Sequence, residues 1–106
     1  MNKRGHLRLT RQEILSILKR NRAMLLKYEV KRIGLFGSYA AGQQGKRSDI
    51  DLLVEFRRPT FDNFMALHGD LERLFRRKID LLTPTGVEAI RAKGIIENIR
   101  KSVVYA

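Results

Sequence analysis

The sequence has 106 residues, 43% apolar and 31% charged, enough to bury one core beneath a wet surface. It contains no cysteine, which excludes disulfides and thiolate metal sites; no apolar run nears the roughly 20 residues that cross a bilayer, and the basic start "MNKRGHLRLTRQE" lacks the apolar segment of a secretory signal. Lys and Arg total 22 against 11 Asp and Glu, a net charge of +11 that favours nucleic acid, nucleotide phosphates, an anionic membrane or an acidic protein as partner.

The expectation is a single cytoplasmic domain over residues 1–106, with 1–9 as a loose tail. Its cations are dispersed as short pairs, among them Lys31–Arg32, Lys46–Arg47 and Arg57–Arg58, and no stretch interleaves them with aromatics. A nucleic-acid interface is therefore not the favoured reading.

Taken in chain order, Thr10 and Glu13 fit a capping box, and Ile14, Ile17, Leu18 and Leu25 recur at helical spacing. They predict a first helix running to about Tyr28. "VKRIGLFG" predicts a strand ending at Gly37, followed by one or two helical turns in "SYAAG" and a loop around Gly42 to Lys46. "DIDLLVEF" predicts a second strand, stopped by "RRPT" because Pro59 cannot continue a central ladder. Phe64, Leu67, Leu71, Leu74 and Phe75 mark one face of a helix over 61–77. "KIDLLTP" predicts a third strand, and the tail reads as one or two helices with a break at Gly94. The order implies an α/β (α+β) fold, with a small mixed sheet of about three or four strands flanked by helices.

Acids inside apolar strands are the anomaly. Strand alternation puts Asp49 and Asp51 on one face while Ile50, Leu52 and Val54 take the other. At about 3.3 Å per residue their Cα atoms lie roughly 6–7 Å apart. Asp80, in "KIDLL", can join them from a neighbouring strand. Carboxylates this close raise one another's pKa unless a cation neutralises them. Oxygen ligands without His or Cys suit Mg²⁺ or Mn²⁺ rather than zinc. Three such acids can hold the two ions used for displacement at phosphorus. Gly37 permits close backbone approach, and Ser38 opens a short helix whose free N–H groups face an anion. A lone D-x-D or Gly-Ser turn also recurs at ordinary strand ends and turns; it is the conjunction that points to chemistry.

Gly37–Ser38, ten residues from Tyr39 to Ser48, then "DID" resembles the G-S-x10-D-x-D signature of the DNA polymerase β-like nucleotidyltransferase superfamily. The fuller text "LFGSYAAG…SDIDLLVEF…LERLFRRKIDLLTP" is similar to the minimal nucleotidyltransferases, the MNT family, over about two thirds of the chain. The resemblance implies that Asp49 and Asp51 bind two Mg²⁺ ions and the nucleotide's phosphates. It implies that Asp80 completes the metal site and accepts the proton of the attacking hydroxyl, and that Gly37 and Ser38 hold the triphosphate. Many relatives carry Arg where this chain has Ala41, leaving Lys46 or Arg47 as its replacement.

The resemblance further implies transfer of AMP from ATP, or of another nucleotide, to a tyrosine of an all-helical HEPN-type toxin, with this chain as antitoxin in a homo- or hetero-oligomer. Neutralisation of that partner by occlusion, without catalysis, is the alternative. Elsewhere, His6 and His68 read as surface or packed residues, Phe61, Phe64 and Phe75 as core, and Tyr39 as packing beside the turn. Tyr105 falls in no motif.

Overall fold

Thr10 closes the expected capping box: its hydroxyl accepts from the Glu13 N–H at 3.1 Å, and the Glu13 carboxylate accepts from the Thr10 N–H at 2.9 Å. From that cap runs α1 (Arg11–Arg20). The helix predicted to continue to Tyr28 instead breaks at Asn21 and resumes as α2 (Arg22–Lys27). The Asn21 side chain donates to the Ile17 carbonyl at 2.8 Å, competing with the helical ladder as short polar side chains do.

Then follow β1 (Val30–Phe36), α3 (Gly37–Ala41), β2 (Ile50–Phe56), α4 (Phe61–Phe75), β3 (Ile79–Leu82), α5 (Lys93–Ser102) and β4 (Val104–Tyr105). This computed structural model describes residues 9–42, 49–85 and 93–106. The expected tail with His6, the loop bearing Lys46 and Arg47, and Val87, Ala89 and Ile90 lie outside the described residues.

The sheet order is β3-β2-β1-β4, with β1 antiparallel to both β2 and β4, and β2 parallel to β3. Four strands is the upper figure of the expectation. The fourth, β4, falls where the tail reads as helix, because two residues carry no alternation to read. Gly94 lies within α5 rather than breaking it.

One face of the sheet carries the main core. Ile33 and Leu35 of β1, Ile50, Leu52 and Val54 of β2, and Ile79 and Leu81 of β3 pack against Ile14 and Leu18 of α1 and Leu67, Leu71 and Phe75 of α4. Every second strand residue is used, as a pleated strand requires. On the opposite face Phe36, Leu53, Leu82, Ile99 and Val103 form a smaller cluster beneath α5. Gly34 allows this close packing, since a Cβ there would stand 2.5 Å from Val103 Cγ1 and 2.9 Å from Tyr105 Cδ1.

Two aromatic expectations resolve differently. Tyr39 is buried in the main core. Phe61, expected in the core, is 76% exposed. It sits in the first turn of α4, at the border of the stripe that Leu67, Leu71 and Phe75 drive into the sheet.

Candidate active site

The sheet register assembles the acids. Parallel pairing sets Asp51 of β2 directly beside Asp80 of β3, and antiparallel pairing sets Phe36, the last residue of β1, on its other side. Asp51 and Asp80 thus project from the face opposite Ile50 and Leu52, at the edge of the cluster under α5. Asp49 precedes β2 by one residue and acts on the same carboxyl by its charge.

Gly37 follows Phe36 with φ +75°, in the left-handed region that favours glycine. A Cβ at this position would overlap Asp51 Oδ2. The glycine therefore serves two purposes: it turns the chain from β1 into α3 and leaves room for the Asp51 carboxylate. Ser38 comes next in the first turn of α3, where backbone N–H groups lack helical acceptors. Its hydroxyl has no hydrogen-bond partner among the described residues. Of the five candidate site residues, Gly37, Asp51 and Asp80 are in direct contact, with Asp49 and Ser38 flanking them.

Electrostatically the site is strained. The Asp51 carboxyl is pushed up to about 6, first by burial, then by its hydrogen bond with Asp80, then by the negative charges of Asp80 and Asp49. Lys78 Nζ lies 3.8 Å from Asp49 Oδ2. Among the described residues no three acids are gathered closely enough to hold an ion as they stand. The chemistry of the donor set fits a hard cation nonetheless: three carboxylates, no sulfur or imidazole, and mutual repulsion that a cation relieves.

The supports behind this row are not legible in the sequence. His68 Nε2 donates to the Ile79 carbonyl at 2.9 Å, and Glu72 accepts from the Ile79 N–H at 3.3 Å. Two α4 side chains thus satisfy the outer backbone of β3 next to Asp80. His68, its side chain 30% exposed, packs against β3 and touches none of the three acids in the described contacts. Arg11 donates to the Ala40 carbonyl at 2.9 Å, tying α1 to the end of α3. The His68 and Glu72 spacing marks one helix face, but nothing in it points to Ile79.

Compared with known proteins, the profile of the nucleotidyltransferase domain family matches residues 12–106. The chain belongs to that family. It is 35% identical over 99 residues to the protein adenylyltransferase MntA of Thermococcus cleftensis, covering 92% of this chain and 96% of the relative. It is 41% identical over 92 residues to a candidate protein adenylyltransferase of Methanocaldococcus jannaschii, covering 83% of this chain and 92% of the relative. Among solved structures, a candidate minimal nucleotidyltransferase superposes with a TM-score of 0.70 at 22% identity, over 91% of this chain and 95% of that one. A chain from a toxin–antitoxin structure with AMP-PNP gives a TM-score of 0.59 at 21% identity, over 92% and 72%. The nucleotidyltransferase-like fold implied by the resemblance is the fold found. Among the described residues no helix is long and apolar enough to cross a membrane.

Proposed function

We propose that this nucleotidyltransferase domain moves AMP from ATP to a protein hydroxyl, a tyrosine of a HEPN-type helical partner. The observation that carries the reading is the in-register pair Asp51 and Asp80, abutting Gly37, with Asp51 held well above the ordinary carboxylate range. The name of the Thermococcus cleftensis relative supports protein as the acceptor, and the toxin–antitoxin structure with AMP-PNP supports an adenine nucleotide and a toxin partner.

In the reaction, the acceptor oxygen forms a bond to the α-phosphorus. The bond from that phosphorus to the bridging oxygen breaks, and pyrophosphate leaves with the electron pair. Asp80, the most exposed of the three acids, takes the hydroxyl proton. Gly37 brings backbone N–H groups close to the triphosphate, and Ser38 offers its hydroxyl. Asp49, Asp51 and Asp80 are the residues that would hold two Mg²⁺ ions, or Mn²⁺ in their place, and Asp49 would exchange Lys78 for them. Such ions supply positive charge to the phosphates and to the attacking and leaving oxygens.

The test is transfer of label from α-³²P-ATP to a HEPN-type partner in the presence of Mg²⁺. Asp49→Asn with Asp51→Asn is expected to lower the rate by about two orders of magnitude or more while the fold persists. Undiminished labelling by that double variant would sink the reading. Neutralisation of the partner that survives without labelling would assign occlusion instead.

A further inference from the structure

At the opposite end of the sheet from the carboxylates lies a recess between α1, α2, the start of β1 and the residue after β2. Its floor includes Leu25, Leu26 and Ile33, and its rim Lys19, Arg22 and Arg57. Val30 pairs with Phe56 at this end and Phe36 with Asp51 at the other, so along β1 the recess lies roughly 20 Å from Phe36 at Val30 and roughly 10 Å at Ile33.

Among the described residues, part of the charge at the rim is unpaired. Lys31 and Arg32, which also border the recess, are paired with Glu55. The Lys19, Arg22 and Arg57 side chains make no ion pair or hydrogen bond among the described residues. Leu26 stands 52% exposed beside them. An occupant must therefore be anionic at its margins and apolar at its centre. No aromatic ring is among the residues lining the recess, which removes the usual platform for a nucleobase. An amphipathic helix with acidic flanks meets both requirements, its apolar stripe on the leucines and its carboxylates against the rim.

We propose that this recess docks an acidic amphipathic segment of a protein partner, leaving the carboxylate end of the sheet open. The proposal rests on the reading that the chain acts with a protein partner, and it separates holding that partner from reacting with it. Rim charges set approach and register, while the leucine floor supplies affinity through buried apolar area.

The test uses fluorescence anisotropy with a labelled helical peptide, Leu along one face and Glu along the other. A matched Leu/Lys peptide and a single-stranded oligonucleotide serve as the other probes. Arg22→Glu with Arg57→Glu is expected to weaken the Leu/Glu peptide by about tenfold or more, and Leu26→Asp by a similar factor. Both variants should keep the parent's melting profile and its Mg²⁺–ATP binding, and the Leu/Lys peptide should not bind. The Asp49→Asn, Asp51→Asn variant should bind the Leu/Glu peptide like the parent even where it has lost nucleotide, so the two readings fail separately. Absent or unaltered Leu/Glu binding in the rim and floor variants overturns the proposal. So does tighter binding of the oligonucleotide that the same charge reversals abolish, which would make the recess a nucleic-acid site.

Discussion

Two partly buried carboxylates, Asp51 and Asp70, are treated in opposite ways by the same chain. At the corner between α2 and α4, Asp70 accepts from the Tyr28 hydroxyl at 2.5 Å and pairs with Arg73. Its pKa is held below the ordinary carboxylate value, first by the Tyr28 hydroxyl and then by Arg73. In the row across β2 and β3, Asp51 meets Asp80 and Asp49 and is pushed up to about 6. The chain carries 22 basic residues, yet among the described residues none is set against Asp51. An acid satisfied from within holds the fold together. An acid surrounded by acids is left to be completed from outside, the role proposed above for a cation and the phosphates it would bring.

The largest effect expected from breaking this contrast is on turnover. Asp80→Asn keeps the size of the side chain but removes the carboxylate proposed as proton acceptor and ligand. Labelling of the partner should fall by about 10²–10⁴-fold with a melting temperature no lower than the parent's. A rate within a few-fold of the parent would remove Asp80 from the site.

Next comes Gly37→Ala. The left-handed φ costs an alanine about 1 kcal/mol, and displacing the Asp51 carboxylate adds a comparable amount, so a loss of about 2 kcal/mol is expected in urea unfolding. Nucleotide binding should weaken with it, because the displaced group is Asp51. Full stability in this variant would mean that the turn tolerates a side chain and that the contact with Asp51 is incidental.

Asp51→Asn should do the reverse to stability while abolishing activity. A folded-state pKa raised from 3.8 to about 6 means that, in the metal-free protein, the Asp51 contribution to stability is fully present below the ordinary carboxylate range and is lost as pH rises through about 6. After discounting for solvent screening at a half-exposed group, the asparagine variant should gain about 1 kcal/mol at neutral pH. Thermal melts without divalent cation would measure it, and adding Mg²⁺ should narrow the difference by stabilising the parent alone. A destabilised variant would contradict the repulsion inferred for the row.

What could be read from the sequence follows the same division. The acids were legible because they break the apolar pattern of their strands, and Gly37–Ser38 because a turn must follow an apolar run. Ile50, Leu52 and Val54 were legible as the core face through strict alternation. Their pairing was not: that Asp51 stands beside Asp80 is a matter of register between strands separated by α4, which local patterning does not encode. Asn21 was hidden because a polar residue inside a long apolar period looks like a solvent-facing helix position. Phe61 misled because spacing says which side of a helix a residue takes and not whether the sheet extends beneath it. Likewise β4 rests on Gly34 admitting Val103 and Tyr105, a contact between distant segments.

The smallest expected effect lies on the satisfied side. Tyr28→Phe deletes the hydroxyl that donates to Asp70 and leaves the ring in place. Arg73 remains, so the carboxylate keeps one partner, and the loss should be about 1 kcal/mol, roughly 4–8 °C in Tm for a domain of this size. A depressed carboxylate pKa gives stability that is present above the ordinary carboxylate range and lost as pH falls through the depressed value. The gap between parent and Tyr28→Phe should therefore be widest near neutral pH and close in acid, whereas the gap for Asp51→Asn opens as pH rises from acid towards neutral. Melting both variants across this range sets the two curves against each other, and parallel curves would show that Asp51 and Asp70 differ only in position and not in how the chain has charged their surroundings.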